Sequence, residues 1–162
     1  MASVDAGPGR VGRPDPVELP PPPEPAGLYE PAVVHGGLVF TAGMTPRRDG
    51  VPVAVGRLGA EVDLAAGRDA AGLAALRALS AAAAAVGGPH RLVRLIRLGV
   101  LVRCTPEFAD QSAVADGASR ALLDALGDAG RVARTAYGVP ALPGGACVEV
   151  ELVAACEPAD RA

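Results

Sequence analysis

The run from Arg91 to Cys104, RLVRLIRLGVLVRC, limits what this chain can fold into more than any other stretch. It is rich in branched aliphatic residues, and arginines at 91, 94, 97 and 103 break any membrane reading, so a long strand is expected. Their spacing by three and six is expected to put the arginines on both strand faces, as edge or cleft charges. Apolar residues occupy both alternation sets here and again in Ala146 to Cys156, so the sheet should be covered on both faces. Only two helical stretches are on offer for that. The first runs from Leu64 to Val86, with Asp63 as N-cap and Gly87-Gly88-Pro89 as its stop, and Leu73, Leu76, Leu79 or Ser80, Ala83 and Val86 as its buried stripe. The second covers Gln111 to Leu126, with Val114, Ala118, Ala121 or Leu122 and Ala125 on one face and Gly127 and Gly130 near its end. A second copy of the chain is the economical cover for the remaining sheet face.

Shorter elements complete the pattern. Ala32 to Val34 and Leu38 to Ala42 flank His35-Gly36-Gly37 and read as an antiparallel hairpin. Gly43 to Gly59 leads onward, with a short strand around Val51 to Val55. Val132 to Tyr137 and Ala146 to Cys156 are expected as closing strands, joined across Pro140 and Pro143. Hairpins mixed with helical crossovers give an α+β fold, with helices layered on one face of a mixed sheet.

Residues 1–25 hold half of the 16 prolines, with the run Pro20 to Pro23 and no apolar period, so a flexible lead-in is expected there. A single domain should then occupy 26–157, followed by a tail at 158–162. Gly7, Gly9 and Gly12 match a dinucleotide-binding spacing, but the pattern needs a strand before it and a helix after it, and neither is present.

Composition narrows function. The 162 residues carry a formal net charge of −3, all 15 basic residues are arginine, and the only aromatics are Phe40, Phe108, Tyr29 and Tyr137. A mildly acidic chain with so few stacking platforms is a poor nucleic-acid binder. Alanine abundance, with no lysine and no asparagine, reads as coding bias and is set aside as a structural signal. Cys104, Cys147 and Cys156 have no paired spacing, and reduced, buried, inert thiols of a cytoplasmic protein are expected. His35 and His90 lack metal-ligand spacing, so no metal centre is expected. No leader and no membrane span is indicated.

Three blocks, in order, resemble the RidA (YjgF) family of reactive-intermediate deaminases over about residues 27–157. GLYEPAVVHGGLVFTAGMTP, at 27–46, resembles the opening G-x-Y, the hairpin and the (S/T)-(S/A)-G-Q-x-P signature. VARTAYGVPALPGGACVEVE, at 132–151, resembles the closing block, in which A-R-(S/T) is followed by L-P and V-E-(V/I)-E. Between them, VADGAS resembles the V-x-N-G-x-S that opens the second helix in a divergent branch. Asp116 replaces its asparagine, Met44 replaces the usual glutamine, and Ala136 replaces a small or cysteine-type residue.

The resemblance implies a chorismate-mutase-like fold, a homotrimer with clefts between subunits, and hydrolysis of 2-imino or 2-enamino acids to 2-oxo acids and ammonia, with no cofactor. Arg134 would hold the substrate carboxylate, a task suited to the planar donor pair of a guanidinium. Glu149, which alternation places on the same face as Glu151, would position the attacking water. Tyr29, Gly43 and the backbone at Ala136 would complete the substrate pocket, glycine permitting close approach to the chain. The partner implied is a small carboxylate-bearing metabolite. A non-catalytic or regulatory carboxylate-binding protein is the alternative, favoured by the three departures, and a ribonuclease is disfavoured by the acidic balance and the lack of a histidine pair.

Overall fold

A computed structural model describes residues 18–157. A five-stranded mixed sheet carries two helices on one face. In chain order the elements are β1 (Ala32–His35), β2 (Leu38–Thr41), β3 (Arg47–Arg48), β4 (Val51–Pro52), α1 (Leu64–Val86), β5 (Leu92–Arg103), α2 (Gln111–Leu126), β6 (Ala133–Val139) and β7 (Val148–Cys156). The main sheet runs β1-β2-β7-β5-β6, while β3 and β4 form a separate two-stranded ribbon. Only β5 and β6 pair in parallel, with α2 as the crossover between them.

Local chemistry explains most of these bounds. Gly36 and Gly37, at φ 59° and 76°, supply the two left-handed residues that a two-residue hairpin needs. Asp63 caps α1, its carboxylate accepting from the Ala66 N–H at 2.8 Å, and Gly87 at φ 87° ends the helix. Replacing Asp63 by alanine should lower stability by about 1 kcal/mol, read as a fall in Tm with unchanged helical content.

The buried stripe of α1 differs from expectation. Leu79, Ser80 and Ala83 are buried, but Leu73, Leu76 and Val86 are only half-buried, and the seam consists of alanines, among them Ala71, Ala74, Ala75, Ala78 and Ala82. Alanine is therefore structural here: its short side chain lets one helix approach both the sheet and α2. Where α1 meets α2, Gly117 lies against the Arg68 backbone carbonyl with no room for a Cβ. Although α1 is long and apolar enough to cross a membrane by length and composition, 56% of its most apolar window is buried in this core.

Two bulges in β5 correct the expected spread of arginines. The register with β7 shifts between Leu92 and Arg94 and again between Leu95 and Arg97. Each shift resets the alternation by one. Arg94 and Arg97 therefore oppose Ala155 and Val153, on the sheet face away from the helices, and Arg103 follows Arg97 in phase. Phe40 and Tyr137, both exposed, lie on that same uncovered face.

The dinucleotide-like glycines, and the proline-rich segment through position 17, lie outside the described residues, as does the tail from 158. From Glu18 onward the segment is seated on α1: buried Ser80 donates its hydroxyl to the Pro20 carbonyl at 2.6 Å, and Leu19 packs against the core.

Candidate functional site

The backbone ladder between β2 and β7 ends at Phe40, opposite Val153. The Thr41 hydroxyl then accepts from the Leu152 N–H at 3.0 Å, and the chain rejoins β7 at Met44, which exchanges two backbone bonds with Val150 at 2.8 and 2.9 Å. Gly43 sits in the gap, in contact with the Glu149 carboxylate; any Cβ there would occupy the carboxylate's position. Tyr29 lies alongside, its hydroxyl accepting from the Ala26 N–H at 3.2 Å. These three residues line one cavity of about 920 Å³, which extends between the proline-rich segment, the β3–β4 ribbon and α1.

Glu149 has the perturbed carboxyl of this cavity. Burial raises its pKa, and the nearby negative charge of Glu151, two residues along the same face, raises it further. A carboxyl displaced upward in this way can exchange protons nearer neutrality than an ordinary surface glutamate.

Arg134 and Ala136 are elsewhere. Arg134 opposes Leu98 of β5, which opposes Leu152 of β7, so it is two strand spacings, roughly 10 Å, across the sheet from the strand that carries Glu149. It also points to the other face. Arg134 Nη1 donates to Asp116 Oδ1 and to Ser119 Oγ, both at 2.9 Å, and Nη2 donates to Ser112 Oγ at 2.9 Å, all from α2. The side chain is 19% exposed. Ala136 shares this helix-covered face, half-buried against the core. One chain thus brings Tyr29, Gly43 and Glu149 together and holds Arg134 and Ala136 apart from them.

The other candidates are quiet. Burial pushes the Cys147 thiol up to about 11, so it stays protonated at neutral pH. Among the described residues, no group of three or more His, Cys, Asp or Glu could hold a metal ion.

Two features of the cavity were absent from the sequence reading. The β3–β4 ribbon turns at Asp49-Gly50, with φ of 50° and 77°, and an Asp-Gly pair between apolar or extended residues is itself a hairpin signal. The ribbon brings Arg47 to the cavity wall, where it meets Arg77 of α1, thirty positions away in sequence. No local pattern announces that meeting.

A mixed sheet with two helices on one face and a β5–α2–β6 crossover is an α+β layer, the architecture of the YjgF/chorismate-mutase-like class. Residues 14–156 match the family described as "YjgF/chorismate_mutase-like, putative endoribonuclease". The chain belongs to the YjgF/RidA family. It is 39% identical over 136 residues to Protein TCP17 of Trypanosoma cruzi, covering 83% of this chain and 85% of that one. A protein of unknown function from Agrobacterium tumefaciens is similar in structure at a TM-score of 0.79 and 34% identity, over 82% of this chain and 84% of that chain. A "putative endoribonuclease" from Shewanella oneidensis gives a TM-score of 0.81 at 31% identity, over 86% and 92%.

Proposed function

We propose that the chain is a cytoplasmic hydrolase of 2-imino and 2-enamino acids whose active sites are shared between the subunits of a homotrimer. The observation that carries this reading is the raised carboxyl of Glu149 in a roomy cavity, beside a glycine that leaves space for it. Arg134, held by three α2 side chains, supplies a fixed guanidinium on the opposite face, so a complete site draws Arg134 from one copy and Glu149 from another. The uncovered sheet face, with Phe40 and Tyr137 exposed, favours such an assembly.

In this mechanism the carboxylate rests on Arg134 while Glu149 accepts a proton from water as its oxygen bonds to the imine carbon. That proton passes to nitrogen to give a carbinolamine; its hydroxyl proton then moves to nitrogen through Glu149, the carbon–nitrogen bond breaks as the carbonyl forms, and ammonia leaves a 2-oxo acid. Positioning and proton transfer carry the rate.

A second reading has its own observation. Asp116 already offers Arg134 a carboxylate at 2.9 Å, which favours a protein that binds small acids weakly or regulates without turnover. Ammonia release from enzymatically generated 2-imino acids separates the two. The deaminase accelerates it and loses about 100-fold in kcat/KM on Arg134→Ala, with sedimentation still trimeric. A folded wild type that does not exceed the spontaneous rate with small, branched or aromatic imino acids sinks the enzyme reading. RNA cleavage that persists through repurification and survives Arg134→Ala would instead favour the activity named for the Shewanella relative.

A further inference from the structure

The cavity beside Glu149 contains a second cationic anchor. Arg47 and Arg77 meet in its wall, with Arg77 Nη1 donating to the Arg47 carbonyl at a long 3.4 Å. Buried Arg77 Nε has no hydrogen-bond partner. Arg47 spends Nε on Thr45 Oγ1 at 3.2 Å and Nη1 on the Gly50 carbonyl at 2.8 Å, which leaves Nη2 without a bond among the described residues. Neither guanidinium has a carboxylate within ion-pair distance among the described residues; the pairs there are Arg57–Glu61, Arg120–Asp124, Arg131–Asp128 and Arg134–Asp116.

Two arginines with idle donors in one cavity wall repel each other, and an anion held in that cavity is stabilised by both. The repulsion is felt: burial first, and then the charge of Arg47, lower the pKa of Arg77. The rest of the lining is mixed, with Glu18, Glu24, Asp49 and Glu149 sharing it with apolar groups. Leu73 and Leu76, the half-buried leucines of α1, face the cavity together with Met44 and the prolines of the segment from Pro20 to Pro23. At about 920 Å³ the space is near the upper end for small-molecule sites, far larger than a three-carbon acid requires.

We propose that Arg47 and Arg77 form a carboxylate-binding site for an organic acid with a bulky apolar side chain, the acid head on the two guanidiniums and the side chain on Leu73 and Leu76. The proposal adds a binding site to the Glu149 cavity and stands apart from the deaminase reading, in which Arg134 holds the substrate carboxylate. Binding alone tests it.

Isothermal titration with 4-methyl-2-oxopentanoate, pyruvate and the neutral 4-methylpentanamide, on the full chain, is the experiment. The branched acid should bind at least about tenfold more tightly than pyruvate, and the amide should give no heat. Arg77→Met, and separately Arg47→Met, should weaken the branched acid about tenfold or more, with circular dichroism unchanged. Arg47 lies on the exposed ribbon, so its variant reads the site even if Arg77→Met fails to fold. The proposal is overturned if the wild type does not bind the acid, if the amide binds equally, or if folded Arg47→Met binds as wild type does. A wild type that binds the acid but hydrolyses no imine retires the deaminase reading and leaves this site standing.

Discussion

Replacing Glu149 by glutamine is expected to lower kcat for imine hydrolysis by about 10²- to 10⁴-fold while the chain stays folded and assembled. The amide keeps the shape that Gly43 accommodates but cannot take a proton from water. The pH profile carries a second signature. Burial and Glu151 both raise the Glu149 pKa, so the acidic limb of kcat/KM in the wild type should lie above the ordinary carboxylate range. Glu151→Gln removes the smaller cause and should shift that limb downward without abolishing activity. Stability moves the other way. A carboxyl whose folded pKa is raised contributes stability that is present below its unfolded pKa and is lost as pH rises through the folded value. Glu149→Gln should therefore unfold at a slightly higher temperature than wild type at neutral pH, and at about the same temperature in acid. A limb in the ordinary carboxylate range, unmoved by Glu151→Gln, would remove Glu149 as the proton acceptor. Co-expression with Arg134→Ala adds a test of sharing: mixed rings recover about a quarter of wild-type activity if each site takes one residue from each of two copies. No recovery places both residues' contributions in one chain or in none.

Gly117→Ala is expected to destabilise the fold by about 3 kcal/mol, the upper end for an overpacked core. Its Cβ would enter the space of the Arg68 carbonyl, and a backbone atom cannot move aside as a side-chain tip can. Relief requires α1 and α2 to separate, and that opens gaps along the alanine seam. Gly72, where an added Cβ would meet the Gly117 carbonyl at 3.4 Å, is the milder control, expected to cost well under half as much. Equal melting temperatures for the two variants would mean that the helices are not held at this spacing.

Helix α2, and α1 with its cap and stop, could be read from the chain because their signals are local: a capping aspartate, a glycine beyond the last turn, an apolar period. The Gly-Gly hairpin was legible for the same reason. The arginines of β5 were not, since alternation counts residues, and a bulge changes the count without leaving a mark in the side chains. Alanine was misjudged because composition was read without position; the same residue is coding bias on a surface and a spacer in a helix seam. For the candidate site, the family blocks located Tyr29, Gly43, Glu149 and Arg134 along the chain, but not the sheet faces that hold Glu149 and Arg134 apart. The meeting of Arg47 and Arg77 depends on where a two-residue turn swings a ribbon, a tertiary fact with no local counterpart.

The bond between Asp116 and Arg134 has a thermodynamic reading as well. Asp116 is a carboxylate tethered to the guanidinium by the fold itself, so it behaves as a resident competitor whose effective concentration is set by geometry, on the order of millimolar or above, and never falls with dilution. A free acid at micromolar levels cannot displace it by mass action. It gains a hold on Arg134 only by sharing the guanidinium's remaining donors or by drawing most of its affinity from elsewhere. Loosening the tether, as Asp116→Asn would by removing its charge, turns Arg134 from an occupied cation into an available one.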